Sequence, residues 1–316
     1  MTAVPTGVTG ARIIGWGTAL PERVITNHDL ETMLDTSDEW IRERSGIQRR
    51  HVGGSTAGLS IESGRQALAH AGLAPADIDV LVLSTTTPDR TVPATSATVQ
   101  AGLGLTCGAF DVNAACSGFV YALVVAHGLM GLGARRALVI GTDTLSRITD
   151  WDDRNTAVLF ADGSGAVVLD ATDGPGQLLG WDLQADGTAE SLLYCDLGST
   201  IHMDGREVFR RAVRIMVDSA ERSLAHAGVA TSDLALVVPH QANLRIIEAA
   251  CQRLGVPMER AATVLHETGN TSSASIPLAL VDAVRGGRVH DGDLVLLVGF
   301  GAGMTAASAV LRWGAP

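Results

Sequence analysis

Three short segments, far apart in the chain, carry side chains that could do chemistry together. Each holds one such residue: Cys116 in DVNAACSG (111–118), His240 in PHQAN (239–243) and Asn270 in HETGNT (266–271). A cysteine thiolate with an imidazole and a carboxamide within reach is the equipment for covalent acyl transfer. The three segments therefore predict one site that forms an acyl-cysteine intermediate.

The residues on either side of Cys116 predict how it is positioned. Residues 108–112 have the composition of a short strand, and the apolar run 119–130 has the length and composition of a buried helix. A cysteine at this junction would face the exposed N–H groups of the helix N-terminus, a setting that stabilises thiolate. We therefore expect Cys116 to have a lowered thiol pKa.

Length and composition limit the class of protein. A chain of 316 residues exceeds the size at which one core usually keeps growing, which indicates two domains or a duplicated unit. The 46% apolar content is typical of a densely packed globular chain. No apolar stretch reaches the ~18 residues of a membrane span, and the first residues do not look like a signal peptide. Four cysteines without paired or zinc-ligand spacing indicate free thiols in a reducing cytoplasm and no metal site.

The charged residues exclude further functions. All 23 basic residues are arginine, so Schiff-base chemistry and a P-loop lysine are impossible. The net charge of −11 argues against generic binding to nucleic acid. An acidic partner would need a local cluster of arginines.

The chain repeats itself with an offset near 156. Residues 70–82 (HAGLAPADIDVLV) align with 226–238 (HAGVATSDLALVV), and ALVIG at 137–141 with LVLLVG at 294–299. Continuous apolar strands alternating with helices predict an α/β fold with both sheet faces covered. We place the halves at 1–172 and 173–316.

The repeat also predicts where the chemistry lies. The Cys116 and Asn270 segments fall in comparable positions of the two halves, about 154 residues apart, and His240 follows the strand that ends near Val238. Functional groups of such sheets gather at the carboxyl ends of strands. We therefore expect the three residues to meet in one cleft shared by both halves.

With these motifs the chain resembles the thiolase-fold condensing enzymes and, among them, the β-ketoacyl-acyl-carrier-protein synthase III family. The resemblance runs from TSDEWI (36–41) to GFGAG (299–303), and Asn270 selects this family, because elongating relatives carry a second histidine and thiolases a second cysteine. The resemblance implies a layered α-β-α-β-α fold of two similar halves, and a homodimer.

The resemblance also implies a reaction without a cofactor, in which the coenzyme A thioester is a substrate. Cys116 would take an acyl group from acyl-coenzyme A, and a malonyl group on an acyl-carrier protein would then lose CO₂ and attack it. His240 and Asn270 would donate hydrogen bonds to the thioester oxygen. The backbone N–H groups of Cys116 and Ala302 would form the oxyanion hole; Ala302 stands where the family usually has glycine.

Other positions match residues that bind coenzyme A in the family. Trp40 and Arg154 match the pair that sandwiches the adenine, and Gly205 and Asn243 match residues along the pantetheine tunnel. Val92 stands where acetyl-selective relatives carry a phenylalanine that reaches into the acyl pocket of the partner subunit. A smaller side chain there predicts room for longer or branched primers.

Arginines match the basic positions that contact the acidic carrier protein. These are Arg210, Arg245 and Arg253, and Arg211 and Arg214 extend the patch. Two alternatives stay open at this point. The chain could be a related acyltransferase that passes the acyl group to a hydroxyl, an amine or a carrier without decarboxylation. It could also be a non-catalytic scaffold subunit, although such subunits lose the nucleophile that is present here.

Overall fold

The computed structural model describes residues 10–314, and its first half is built on one sheet. The elements in chain order are β1 (Gly10–Ala19), β2 (Val24–Thr26), α1 (Asn27–Glu31), α2 (Asp38–Ser45), β3 (Arg49–His51), α3 (Thr56–Ala71), β4 (Val80–Ser84), α4 (Thr95–Leu103), β5 (Gly108–Val112), α5 (Gly118–Gly131), β6 (Arg136–Thr144), α6 (Arg154–Ala157) and β7 (Asp162–Thr172). Five strands form the main sheet in the order β1-β7-β6-β4-β5, and β2 pairs with β3 separately.

The second half repeats this plan on a second sheet. Its elements are β8 (Leu178–Gln184), β9 (Leu193–Tyr194), β10 (His202–Met203), α7 (Gly205–Ala227), β11 (Leu234–Pro239), α8 (Leu244–Leu254), α9 (Leu265–Thr268), α10 (Ser275–Arg285), β12 (Leu294–Gly301) and β13 (Thr305–Arg312). The sheet order is β11-β12-β13-β8, while β9 and β10 form a small separate ribbon. The division predicted at 172/173 falls between the two sets of sheet strands.

All four strands of the second sheet have counterparts in the first sheet, in the same order. In the first sheet, β4 lies between its parallel neighbours β5 and β6. Strand β7 pairs antiparallel with β6, and β1 pairs antiparallel with β7. In the second sheet, β11 is parallel to β12. Strand β13 pairs antiparallel with β12, and β8 pairs antiparallel with β13. The place of β5 is taken by a single parallel bridge between Val237 and Ala261. This common order confirms the duplication.

The repeated motif also folds the same way in both copies. Helices α3 and α7 end at Gly72 and Gly228, which take left-handed φ values of 66° and 65°. Glycine adopts this conformation without a Cβ penalty. A short turn follows in each copy. In it the carboxylate of Asp77 or Asp233 accepts a hydrogen bond from the backbone N–H three residues earlier in the chain.

The halves pack into five layers. Helices α3 and α4 cover the outer face of the first sheet, and α7 and α8 cover that of the second. Helices α5 and α10 lie between the sheets and contact strands of both. This α-β-α-β-α arrangement confirms the predicted fold class. Helix α5 is apolar on all sides, as expected for a helix enclosed by two sheets. Within residues 10–314, no helix combines the length and apolar character needed to cross a membrane.

Candidate active site

Cys116 lies in a tight turn between β5 and α5, as the sequence predicts. A single 3₁₀ turn, Ala115–Ser117, joins the strand to the helix. Ala115 has φ +48°, a left-handed conformation that costs a residue with a Cβ about 1–3 kcal/mol. The end of β12 approaches this turn so closely that a Cβ on Gly301 would stand 2.6 Å from the Cys116 nitrogen. The backbone around the sulfur is therefore fixed from both halves.

Asn270 begins a turn of the same design in the second half. Its Oδ1 accepts a hydrogen bond from the Ser272 N–H at 3.0 Å, as Asn113 Oδ1 accepts one from the Ala115 N–H at 3.2 Å. Ser272 has φ +50°, close to that of Ala115. The repeat thus pairs Asn113 with Asn270. The Cys116 and Asn270 segments thus occupy comparable positions of the two halves, as expected, and Asn113 is the counterpart of Asn270.

His240 follows β11 directly and is almost fully buried. Its backbone N–H donates to the Val298 carbonyl at 2.8 Å, and its ring meets Phe300 edge-on at 5.4 Å. The next residue, Gln241, donates from Nε2 to the carbonyls of Pro239 and Ala262. Gln241 thereby holds the loop that carries the imidazole.

Two cavities meet at Cys116. The first has a volume of about 750 Å³, and Cys116, His240 and Asn270 all line it. The second has a volume of about 670 Å³ and is lined by Cys116 with Leu145 and Ile148. The structure therefore brings the three predicted residues to one cavity and gives the cysteine a second space beside it. Asn270 is held by its Oδ1, which leaves its amide N–H groups as donors.

The pKa of Cys116 differs from the expectation. The pKa of the Cys116 thiol is raised to about 12, mainly by burial and to a smaller extent by the charge of Asp143, while a contact with the Ser272 hydroxyl acts in the opposite direction. The lowered thiol pKa expected from the helix N-terminus is therefore wrong, because loss of solvation outweighs it. Burial also lowers the pKa of His240 to about 3, so the imidazole is neutral.

The shift at His240 has a consequence for acid stability. The folded-state pKa of His240 lies below the ordinary value of 6.5, so the unfolded chain binds a proton there before the folded protein does. The free energy of unfolding is therefore fully retained above pH 6.5 and decreases as the pH falls toward 3. At about 1.4 kcal/mol per pH unit this amounts to ~4–5 kcal/mol at most. We expect His240→Gln, which cannot be protonated there, to lose less unfolding free energy than the wild type over this interval.

Urea unfolding at several pH values from about 7 down to about 4 measures this difference. His266→Gln, at an exposed histidine, is the control and should follow the wild type. If the free energy of unfolding depended on pH in the same way in the wild type and in His240→Gln, the lowered pKa of His240 would be contradicted.

Most of the residues predicted to bind coenzyme A border the first cavity. Trp40, Gly205 and Asn243 line it, and the Asn243 side chain caps α8 while donating to the Arg44 carbonyl at 2.8 Å. The Arg154 guanidinium lies 5.0 Å from the centre of the Trp40 ring. This is a direct cation–π contact, so a base inserted between the two would require them to separate.

Two further predicted residues lie at the second cavity or near it. Ala302 lines it, and it is not among the described non-glycine residues with positive φ, which are Ala115, Ser272 and Met304. Val92 is 80% exposed and does not line the cavity, although its neighbours Arg90 and Thr91 do. Its side chain therefore faces away from the cavity of its own chain.

The structure gathers some of the predicted docking arginines and separates one. Arg210, Arg211 and Arg214 line one groove on α7 with Glu207. Arg210 and Arg245 also line the mouth of the first cavity. Arg253 is exposed in the last turn of α8, beyond these lining residues.

Sequence reasoning missed several residues at the site. Phe160 and Leu193 line both cavities, and exposed Cys195 lines the second. Phe160 forms a parallel bridge with Asn270, which explains its place. No motif in the sequence marks these positions.

Comparisons with known proteins agree with this geometry. The chain is 52% identical to a β-ketoacyl-[acyl-carrier-protein] synthase III of Roseiflexus castenholzii, over 96% of this chain and 98% of that one. The crystal structure of the 3-oxoacyl-[acyl-carrier-protein] synthase III of Aquifex aeolicus superposes with a TM-score of 0.94 at 43% identity, over 96% and 100% of the two chains. The priming β-ketosynthase of the R1128 polyketide pathway superposes with a TM-score of 0.93 at 36% identity, over 100% and 99%.

The five layers and the superpositions define a thiolase-like fold. Two family models also match, those of 3-oxoacyl-[acyl-carrier-protein] synthase III at residues 110–187 and of its C-terminal part at 224–313. The chain belongs to the 3-oxoacyl-[acyl-carrier-protein] synthase III family.

Proposed function

We propose that the protein condenses an acyl-coenzyme A primer with malonyl-acyl-carrier protein, with loss of CO₂, to begin fatty-acid or polyketide chains. The observation that carries this proposal is the single cavity lined by Cys116, His240 and Asn270. Family membership and a priming β-ketosynthase among the similar structures support it.

In the first step the Cys116 sulfur attacks the thioester carbonyl of acyl-coenzyme A. The C–S bond to coenzyme A breaks, the proton of the Cys116 thiol passes to the leaving coenzyme A sulfur, and the acyl group stays on Cys116. Negative charge on the carbonyl oxygen would be met by the backbone N–H groups of Cys116 and Ala302. The second cavity, which begins at Cys116, would hold the acyl chain.

In the second step malonyl-carrier protein enters the first cavity. Its carboxylate carbon leaves as CO₂, and the electron pair moves into an enolate whose oxygen accepts hydrogen bonds from His240 and Asn270. The carbanion carbon then attacks the acyl carbonyl, and the Cys116 sulfur is expelled. A neutral imidazole and a carboxamide suit this role, because both donate a hydrogen bond without supplying a proton.

Every step uses side chains and backbone of this chain, so the proposal assigns no cofactor. The substrate enters along the first cavity, with Gly205 and Asn243 beside the pantetheine arm and Trp40 and Arg154 at the adenine. Cys107, Cys116, Cys195 and Cys251 are free thiols, which supports a reducing compartment and hence the cytoplasm.

Incubation with acyl-coenzyme A and malonyl-carrier protein tests the function directly. We expect an acyl adduct on Cys116 by intact mass, followed by equal amounts of CO₂ and β-ketoacyl-carrier protein. An adduct that moves to an acceptor without CO₂ would indicate the acyltransferase alternative. No adduct and no product would rule out both.

We also propose a homodimer. The edge strand β5 has no further strand beside it within residues 10–314, and Val92 and Leu197 are exposed near the second cavity. An unpaired edge and exposed apolar side chains at a cavity mouth are features that a second copy would cover. Light scattering measures the mass in solution, and a monomeric mass would contradict the proposal.

Val92 would then limit the acyl pocket of the partner. We expect Val92→Phe to lower kcat/KM for branched or longer primers relative to acetyl-coenzyme A by about tenfold, because an added ring occupies the space of several methylenes. Steady-state kinetics over a panel of acyl-coenzyme A thioesters measures the ratio. Val24→Phe, at an exposed valine of β2, is the matched control, and an equal change in both variants would contradict the role.

The arginine groove on α7 would receive the acidic carrier protein. Arg214 lines this groove but neither of the cavities at Cys116. We expect Arg214→Glu to raise KM for malonyl-carrier protein about tenfold at low salt and to leave acylation by acyl-coenzyme A unchanged. The reason is that charges on a docking surface raise the rate at which the two proteins associate. Arg222→Glu, at an exposed arginine farther along α7, is the control. A KM that does not depend on salt or on Arg214 would exclude docking there.

A further inference from the structure

The buried hydroxyl of Ser275 lies against the imidazole of His240. Ser275 is the first residue of α10 and is fully buried. Its Oγ stands 2.7 Å from His240 Nδ1, and it also accepts a weak hydrogen bond from the Gln241 N–H at 3.4 Å. These are its only hydrogen-bond partners among the described residues. The contact joins the first residue of α10 to the loop that follows β11.

Counting protons at this contact selects one arrangement. Burial keeps His240 neutral, so its ring carries one N–H. The Gln241 N–H is a donor, which leaves Nδ1 as the acceptor for the Ser275 hydroxyl proton. If Nδ1 carried the ring proton instead, Ser275 Oγ would accept two hydrogen bonds and its own proton would have no acceptor among the described residues. An unsatisfied buried donor costs about 1–3 kcal/mol.

We propose that Ser275 is a positioning residue that holds His240 in the tautomer protonated at Nε2. The hydrogen bond made by one ring nitrogen sets the protonation of the other. No described residue hydrogen-bonds to Nε2, and His240 lines the first cavity. Ser275 thus aims one N–H at the cavity, and the inference rests on the proposed function in assigning that N–H to the enolate oxygen.

The tautomer has a consequence for the two half-reactions. An Nε2 that already carries a proton donates to the enolate, but it cannot take the proton of the Cys116 thiol. Decarboxylation therefore depends on Ser275, while acylation of Cys116 does not. A merely structural role for Ser275 would affect both steps together.

Ser275→Ala tests this separation. We expect CO₂ release from malonyl-carrier protein to fall by about 10- to 100-fold, less than the roughly 10²–10³ for complete loss of an oxyanion donor. Acylation of Cys116 by acyl-coenzyme A, followed by intact mass, should stay near the wild-type rate. Ser223→Ala, which removes a buried hydroxyl bonded to the Ala220 carbonyl of α7, is the control and should change neither step.

The ¹⁵N resonances of the two ring nitrogens give a readout in the wild type that does not depend on the folding of Ser275→Ala. In the wild type, with His240 assigned by its loss in His240→Ala, we expect a protonated Nε2 and a bare Nδ1. A protonated Nδ1 would overturn the proposal, as would a Ser275→Ala protein that decarboxylates at the wild-type rate. Absence of CO₂ from the wild type would instead overturn the proposed function and leave the tautomer measurement standing.

Discussion

Cys116→Ser is expected to abolish the acyl-enzyme and to lower condensation by roughly 10⁴-fold or more, the scale seen when a nucleophile is removed. A hydroxyl is a far weaker nucleophile than a thiol and needs a base to activate it. Among the described residues that line the first cavity, only His240 has an imidazole, and it is a poor base because burial lowers its pKa to about 3. Intact mass after incubation with acyl-coenzyme A and a product assay measure the two losses.

The matched control is Cys107→Ser. Cys107 is a free, half-buried thiol beside β5 that lines neither cavity. This variant should acylate and condense like the wild type. If Cys116→Ser still acquired a stable acyl group, another residue would be the nucleophile, and exposed Cys195 in the second cavity would be the first to examine.

Asn270→Asp should lower decarboxylation by at least roughly 10²–10³-fold, because it removes a donor and adds negative charge where the enolate develops. The substitution is nearly isosteric. Its carboxylate can still accept the Ser272 N–H, so the turn with φ +50° at Ser272 keeps its support. CO₂ release from malonyl-carrier protein is the measurement.

The same Asn270→Asp protein contains its own control. Acylation of Cys116 needs the nucleophile and the backbone N–H groups, so we expect it to proceed at a rate much closer to that of the wild type. A variant with unchanged CO₂ release would show that the Asn270 amide donates nothing to the enolate. Equal loss of both steps would show that the turn had collapsed.

Local patterns predicted much of this molecule. The strand before Cys116 is β5 with the predicted bounds, and the apolar run after it lies within α5. These predictions succeed because continuous apolar runs bounded by glycine have few alternatives in a layered α/β protein. The aligned HAG segments end α3 and α7 in the same conformation, since each supplies a glycine where the chain must turn left-handed.

The features that the sequence could not show depend on how deeply a side chain is buried and on contacts between residues far apart in the chain. The helix N-terminus predicts a lowered pKa at Cys116, but the strength of the opposing desolvation is set by residues from both halves. The pairing of Asn113 with Asn270 is visible only through their matching hydrogen bonds. Ser275 looks like its neighbours Ser272 and Ser273 in the chain, and only the approach of the β11 loop distinguishes it.

The matching turns at Asn113 and Asn270 record how the chemistry was divided after duplication. Both copies inherited a backbone able to present one polar group at the meeting point of the sheets. One copy carries the sulfur three residues after its asparagine, and in the other the asparagine itself lines the first cavity. An ancestor assembled from two identical units would have offered two equivalent centres. In one chain with two different halves, the proposed function would assign attack to one half and stabilisation of the enolate charge to the other.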